Sequence, residues 1–106
     1  MKIIIKKENL PDNPENILRK AGYHFLIDKN TQQESFSRRL GSGHYPRFHV
    51  YLKEKDGKSI IDLHLDQKQA SYKGAQHMHN AEHDGEVIEG EVIRLKKIIS
   101  DLYLGI

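Results

Sequence analysis

The Asp56-Gly57 pair constrains the fold of this chain more than any other feature. Polar and apolar residues alternate on both sides of it, over Arg47–Lys53 before the pair and Ile60–Asp66 after it. An Asp-Gly pair between two such runs is typical of a β-hairpin with a two-residue type I′ turn. This turn fixes the register, because the numbers of facing residues then sum to 113. The sequence therefore predicts the pairing of the hairpin residue by residue.

The predicted register divides the hairpin into an apolar face and a polar face. The apolar face holds three facing pairs: Phe48 with Leu65, Val50 with Leu63, and Leu52 with Ile61. The polar face also holds three: Arg47 with Asp66, His49 with His64, and Tyr51 with Asp62. A slip of one residue would mix the two faces, so the pattern specifies this register strongly.

The facing residues His49 and His64 are the first candidate metal ligands. Side chains directly opposite each other in an antiparallel pair have Cβ atoms about 4.5–5.5 Å apart, so two neutral imidazoles can share one ion. Asp62 and Asp66 flank the pair and can orient the rings through their second nitrogen atoms, as carboxylates commonly do around metal-bound histidines. The alternative is that both histidines are solvated residues on a wet sheet face.

A second histidine cluster follows the hairpin, after the polar stretch Gln67–Gly74. It comprises His77, His79 and His83, with Glu82 or Asp84 as a possible oxygen ligand. If the loop over residues 67–84 folds back over the polar face of the hairpin, all five histidines converge. The cofactor predicted for such a site is a divalent transition metal, zinc first, with iron, nickel or manganese as alternatives. A buried polar network without metal is the competing interpretation.

Signals outside the hairpin predict one α+β domain over residues 1–106. Strands are expected over Met1–Lys7, Tyr23–Asp28 and Glu34–Leu40, a short helix over Glu15–Ala21, and a long helix over Glu86–Leu104. Asn13 and Pro14 are a typical N-cap and first residue for the short helix. The expected fold is a small, mainly antiparallel sheet of about four to five strands, with both helices packed on one face.

The C-terminal helix is amphipathic, with Asp84 as its expected N-cap. Its apolar stripe consists of Ile88, Val92, Leu95, Ile99 and Leu102, spaced by four and three residues. Such a stripe is typical of a helix packed on a core, here the apolar face of the hairpin. Because the spacing also resembles a heptad seam, a homodimer through this helix is the alternative.

Composition excludes several classes of protein. The 106 residues include no cysteine, which excludes disulfides, thiolate metal sites and a cysteine nucleophile. The longest apolar run is three residues, Ile3–Ile5, too short for a transmembrane helix or a signal sequence, so no membrane partner and a cytoplasmic location are expected. The net charge is only +2 and the pI is about 8.8, below the value of about 9 typical of nucleic-acid-binding domains.

Among known catalytic motifs, the chain has neither the phosphate-binding nor the dinucleotide-binding glycine loop, and neither a nucleophile elbow nor the zincin motif. Metal-assisted hydrolysis of a phosphoester remains, with Asp62, Asp66 or Glu82 as general base and Arg47 stabilising the phosphate charge. The stretch His44-Tyr45-Pro46-Arg47-Phe48-His49, followed by a hairpin, resembles the metal-dependent phosphoesterase domains attached to some bacterial DNA ligases. The resemblance covers less than a quarter of the chain, and the aspartate expected after the second histidine is missing, so no residue role is carried over.

Two other functions remain open at this point, and the sequence does not decide whether the protein is an enzyme. The first is a nucleic-acid-binding module, in which arginine, lysine and tyrosine side chains form a stacking and phosphate-binding surface. The residues for it are Arg38, Arg39, Arg47 and Lys53 with Tyr45, Tyr51 and Tyr72. The second is an interaction protein that dimerises through Glu86–Leu104 without catalysis.

Overall fold

A computed structural model describes residues 1–67, 81–82 and 85–105, with residues 81–82 described by their backbone alone. Five antiparallel strands form one sheet in the order β1-β5-β4-β3-β2. They are β1 (Lys2–Lys6), β2 (His24–Ile27), β3 (Glu34–Arg39), β4 (Arg47–Lys55) and β5 (Lys58–Asp66), and a two-residue strand β6 (Ala81–Glu82) pairs with the end of β5. The helices are α1 (Pro14–Lys20) and α2 (Glu86–Leu104), and a 3-10 turn spans Lys7–Asn9. The predicted α+β class is confirmed, and neither helix of the described part is both long and apolar enough to cross a membrane.

The hairpin of β4 and β5 has the predicted register throughout. Arg47 pairs with Asp66, and His49 pairs with His64. Asp56 and Gly57 have φ values of 52° and 73°, and a type I′ turn requires positive φ at both of its central residues. The two strands extend closer to the turn than the alternation indicated.

The core lies between one face of the sheet and the two helices. Its sheet residues include the predicted Phe48, Val50, Ile61, Leu63 and Leu65, all buried. The helices contribute Ile17 and Leu18 from α1 and Ile88, Val92, Leu95 and Ile99 from α2. The stripe of α2 thus packs in the core of its own chain, as one of the two interpretations expected. The homodimer stays a prediction, but without this stripe as its seam.

The two helix starts differ. Asn13 caps α1 as predicted, since its side-chain oxygen accepts a hydrogen bond from the Asn16 backbone N–H at 3.1 Å, and Pro14 is the first helical residue. The expected cap of α2 at Asp84 is wrong, because the N-cap is Gly85, which makes no side-chain capping bond. Gly85 has a φ of 112°, a conformation that glycine adopts far more readily than other residues.

Candidate functional site

The face of the sheet away from the helices carries polar side chains in rows, because the strand registers line up. One row crosses four strands and contains His24, Ser37, His49 and His64. The next row contains Arg39, Arg47 and Asp66. We refer to this surface as the polar face. It holds the predicted site residues of the hairpin and adds side chains from β2 and β3.

His49 is fixed by a hydrogen bond at each ring nitrogen. Its Nδ1 lies 3.1 Å from Oδ2 of Asp66, and its Nε2 lies 2.8 Å from Oγ of Ser35. An ionised carboxylate only accepts hydrogen bonds, so Nδ1 carries the proton and donates it to Asp66. In the neutral ring, Nε2 then accepts the hydroxyl proton of Ser35. Asp66 therefore orients His49 as the sequence predicted, whereas the contact with Ser35 was not foreseen.

His64 has a different environment from His49, although both side chains are 15% exposed. The Tyr51 ring contacts both, with its centroid 4.8 Å from that of His49 and 5.5 Å from that of His64. Nε2 of His64 is 3.9 Å from Oδ1 of Asp62, which is too long for a hydrogen bond. Burial, together with the negative charge of Asp66, raises the pKa of Tyr51, so this ring stays neutral. The aspartate predicted to orient His64 is thus near its ring but does not bond it.

The candidate general bases are constrained by their neighbours. Burial acts to raise the pKa of Asp62, but a hydrogen bond from Lys53 at 3.2 Å and the charge of His64 outweigh it and lower the pKa. A carboxylate with a lowered pKa is a weak proton acceptor at neutral pH. Asp66 is hydrogen-bonded to His49. Glu82, described by its backbone position alone, lies opposite Leu65 in the sheet.

Arg47 has hydrogen-bonding capacity to spare. Its guanidinium carbon lies 4.7 Å from the centre of the Tyr45 ring, and its Nε is 3.8 Å from Oδ2 of Asp66. This Nε is buried and forms no hydrogen bond in the described part of the chain. A buried donor without a partner costs free energy, so the position of Arg47 is not optimised for stability.

The five predicted metal ligands are only partly described. The hairpin brings together His49 and His64, whereas His77, His79 and His83 lie outside the described residues. Within residues 1–67 and 85–105, no three histidine or acidic side chains are grouped closely enough to hold a metal ion. The metal site as a whole therefore stays a prediction.

The line of Ser35, His49 and Asp66 has the order of groups that activates a serine nucleophile in many hydrolases. Acyl transfer also requires backbone N–H groups directed at the developing oxyanion. Ser35 is 5% exposed, and its strand lies between β2 and β4, where backbone N–H groups are engaged in sheet pairing. We therefore interpret this line as a device that orients His49.

The residues proposed for a nucleic-acid surface do not share one face. Arg38 points to the helix side of the sheet, where its Nη1 lies 3.7 Å from Oε1 of the buried Glu91. Lys53 is bonded to Asp62. Tyr72 lies outside the described residues, so the polar face retains Arg39, Arg47 and the Asp62-bonded Lys53, with Tyr45 and Tyr51.

Sequence reasoning missed the contribution of β3 to the polar face. The alternation over Glu34–Arg39 does place Ser35, Ser37 and Arg39 on one face of a strand. Their neighbours on β4 could not be read from it, because residues 40–46 connect the strands by a loop longer than the turns that fix a register. The pairing of Ser37 with His49 emerges only in the folded sheet.

Comparisons with known proteins return no match to this chain. No protein-family model, no curated protein and no solved structure matches it. The roles proposed below are therefore argued from the polar face itself.

Proposed function

We propose that this protein binds a divalent transition metal, zinc first, through His49 and His64. The observation that carries the proposal is the 3.1 Å contact between Nδ1 of His49 and Asp66, from which we infer a ring with its proton on Nδ1 and its lone pair on Nε2. This is the tautomer in which a carboxylate-bound histidine takes a metal at Nε2. The Ser35 hydroxyl now at Nε2 can rotate away, because it is held by one bond to this nitrogen among the described residues.

The remaining ligands are proposed from the sequence. Structural zinc has four protein ligands, and catalytic zinc has three and a water molecule. His77, His79 and His83, with Glu82 as an oxygen ligand, are the candidates for these positions. Iron, nickel and manganese also accept imidazole and carboxylate ligands, so the metal found in the purified protein decides among them.

The reaction we propose is hydrolysis of a phosphoester. A metal ion bound at this site would supply an activated water molecule and stabilise negative charge. Asp66 would keep the His49 ring in its orientation, and the Arg47 guanidinium would stabilise the phosphate charge. Asp62 is a weak candidate base because its pKa is lowered.

Metal analysis and zinc titration test the proposal directly. Untagged protein purified without chelators is expected to contain near-stoichiometric metal. His49→Ala should weaken zinc binding by about 10–100-fold or more, since it removes a ligand rather than only an outer partner. His24→Ala is the matched control, because this exposed imidazole lies two strands away on the same row. Ser35→Ala should bind zinc as well as the native chain or better, since the competing hydroxyl is gone.

Two results would contradict the metal proposal. One is protein without metal whose melting temperature does not rise with any divalent ion in a panel. The other is zinc affinity that is unchanged when His49 and His64 are both replaced by alanine, which would place the ion elsewhere.

A further inference from the structure

A cavity of about 630 Å³ opens beside one end of the polar face. Its walls carry the basic side chains His24, Arg38, Arg39, His44 and Arg47, together with the hydroxyl of Ser37. Of these, Arg38 is paired with Glu91. Among the described residues that line it there is no aspartate and no glutamate. A cavity with several cations and no lining carboxylate attracts an anion.

The two arginines of this cavity oppose each other directly. Arg39 of β3 pairs with Arg47 of β4, which places their Cβ atoms about 4.5–5.5 Å apart. Like charges at directly opposed positions destabilise a sheet. Asp66 lies near Arg47 on its other side. The side chain of Arg39, in contrast, is exposed and forms neither a hydrogen bond nor an ion pair with any described residue. The sheet register therefore places two like charges at directly opposed positions, where an anion between them would be stabilised.

We infer that this cavity binds the phosphate group of a small phosphomonoester, held between Arg39 and Arg47. A phosphomonoester carries a charge of about −1.5 to −2 at neutral pH and three terminal oxygens. These oxygens match two guanidinium groups with further donors better than the two oxygens of a carboxylate do. The guanidinium groups of Arg39 and Arg47 would supply N–H donors to these oxygens.

The shape of the cavity favours a small molecule over a nucleic acid. Its volume falls in the range of about 300–1,000 Å³ that small-molecule sites occupy, and it exceeds what one phosphate ion needs. Leu26 supplies an apolar wall for the organic part of the ligand. Proteins that bind single strands stack bases mainly on tyrosine, phenylalanine and tryptophan, and none of these three is among the described lining residues.

The inference deepens the phosphoester part of the proposed function and does not require the metal. Phosphate binding is therefore measured by amide NMR shifts in buffer containing EDTA. The probes are inorganic phosphate, ribose 5-phosphate and an oligothymidine of eight nucleotides. We expect ribose 5-phosphate to bind more tightly than inorganic phosphate and to shift the amides of β3 and β4 around Arg39 and Arg47.

Two substitutions that each remove one positive charge test the position of the site. Arg39→Gln should weaken ribose 5-phosphate binding by about ten-fold or more, because it removes a charge-assisted contact with the phosphate. Arg19→Gln removes the same charge from the exposed surface of α1 and should change the affinity by less than about two-fold. Replacing both His49 and His64 by alanine should leave phosphate binding in place while zinc binding is lost.

The inference is overturned if neither phosphate binds at millimolar concentration, or if Arg39→Gln and Arg19→Gln weaken binding equally, since only general charge attraction would then operate. Tighter binding of the oligothymidine than of ribose 5-phosphate would also overturn it, and would assign the surface to nucleic acid. Failure of phosphate binding with zinc binding intact leaves the metal proposal standing, and the reverse result leaves this one standing.

Discussion

Two polar networks lie on opposite faces of the sheet and differ in how many of their donors and acceptors are hydrogen-bonded. On the helix side, Glu91 is 4% exposed and accepts a hydrogen bond from the Tyr23 hydroxyl at 2.6 Å. It also accepts two from Arg94, at 2.7 and 2.8 Å, and Arg94 donates to the backbone oxygen of Ala21 as well. On the polar face, both ring nitrogens of His49 are hydrogen-bonded. The side chain of Arg39 and the Nε of Arg47, however, form no hydrogen bond with the described residues.

The difference separates a structural network from a binding surface. Burial first, and then the hydrogen bond and charge of Glu91, raise the pKa of Tyr23 far above its usual value, so the hydroxyl stays a donor at any ordinary pH. A closed, satisfied network of this kind ties α2 to the segment before β2. On the polar face, by contrast, the exposed Arg39 side chain opposes a second arginine, and such local conflicts are typical of functional sites.

The largest effect expected from this comparison is that of Glu91→Ala. The substitution leaves Arg94 and the Tyr23 hydroxyl without their partner in the protein interior, which typically costs about 3–5 kcal/mol of folding free energy. Ser35→Ala on the polar face removes one neutral hydrogen bond and should cost about 1 kcal/mol. Urea unfolding followed by circular dichroism measures both.

Glu89→Ala is the control for the helix, because Glu89 is exposed on α2 two residues before Glu91. Its effect should stay within about 0.5 kcal/mol. Equal losses for Glu91→Ala and Ser35→Ala would show that the two networks contribute alike to stability, and the comparison would fail.

A smaller loss of stability, present at neutral pH and absent in acid, is expected from breaking the contact between Lys53 and Asp62. The pKa of Asp62 is lowered in the folded chain, so its contribution to stability is present above its unfolded pKa of about 3.9 and is lost as pH falls through the folded pKa. Lys53→Met removes the main partner of this carboxylate. The variant should lose about 0.5–1 kcal/mol at pH 7, and the difference from the native chain should shrink toward pH 2.

Lys55→Met is the matched control for this titration, because Lys55 is an exposed lysine on the same strand. Unfolding free energies measured from pH 2 to 7 should then coincide for Lys55→Met and the native chain. If the stability difference between Lys53→Met and the native chain does not vary with pH, it arises from packing rather than from charge.

Gly90→Ala is expected to have the mildest effect and to be stabilising. Gly90 is exposed next to Glu91 in α2, and a Cβ added there would meet no atom within 4 Å. Alanine in a helix interior is more stable than glycine by about 0.5–1 kcal/mol, so the melting temperature should rise. Gly105→Ala should lower it, because Gly105 ends α2 with a φ of 76°. A loss of stability in Gly90→Ala would indicate that this side of α2 is covered, for example by a second copy of the chain.

The sequence by itself determined the parts of this protein that depend on neighbours along the chain. The turn at Asp56-Gly57 and the alternation around it set which residues face each other in β4 and β5, including His49 with His64. Helical spacing set the buried stripe of α2, and Asn13 with Pro14 set the start of α1. Each of these follows from local geometry, because the turn type fixes the strand register and the helical period fixes which side chains share a face.

Only the tertiary structure decided the contacts between segments that no short turn connects. Glu91 looked like an acidic residue near a helix start, yet packing of α2 against Tyr23 buries it with Arg94. Docking of β3 beside β4 brings Ser35 to His49 and sets Arg39 against Arg47. A strand pattern shows which side chains share a face but does not show which strand will lie beside it, because that choice depends on the packing of the whole core.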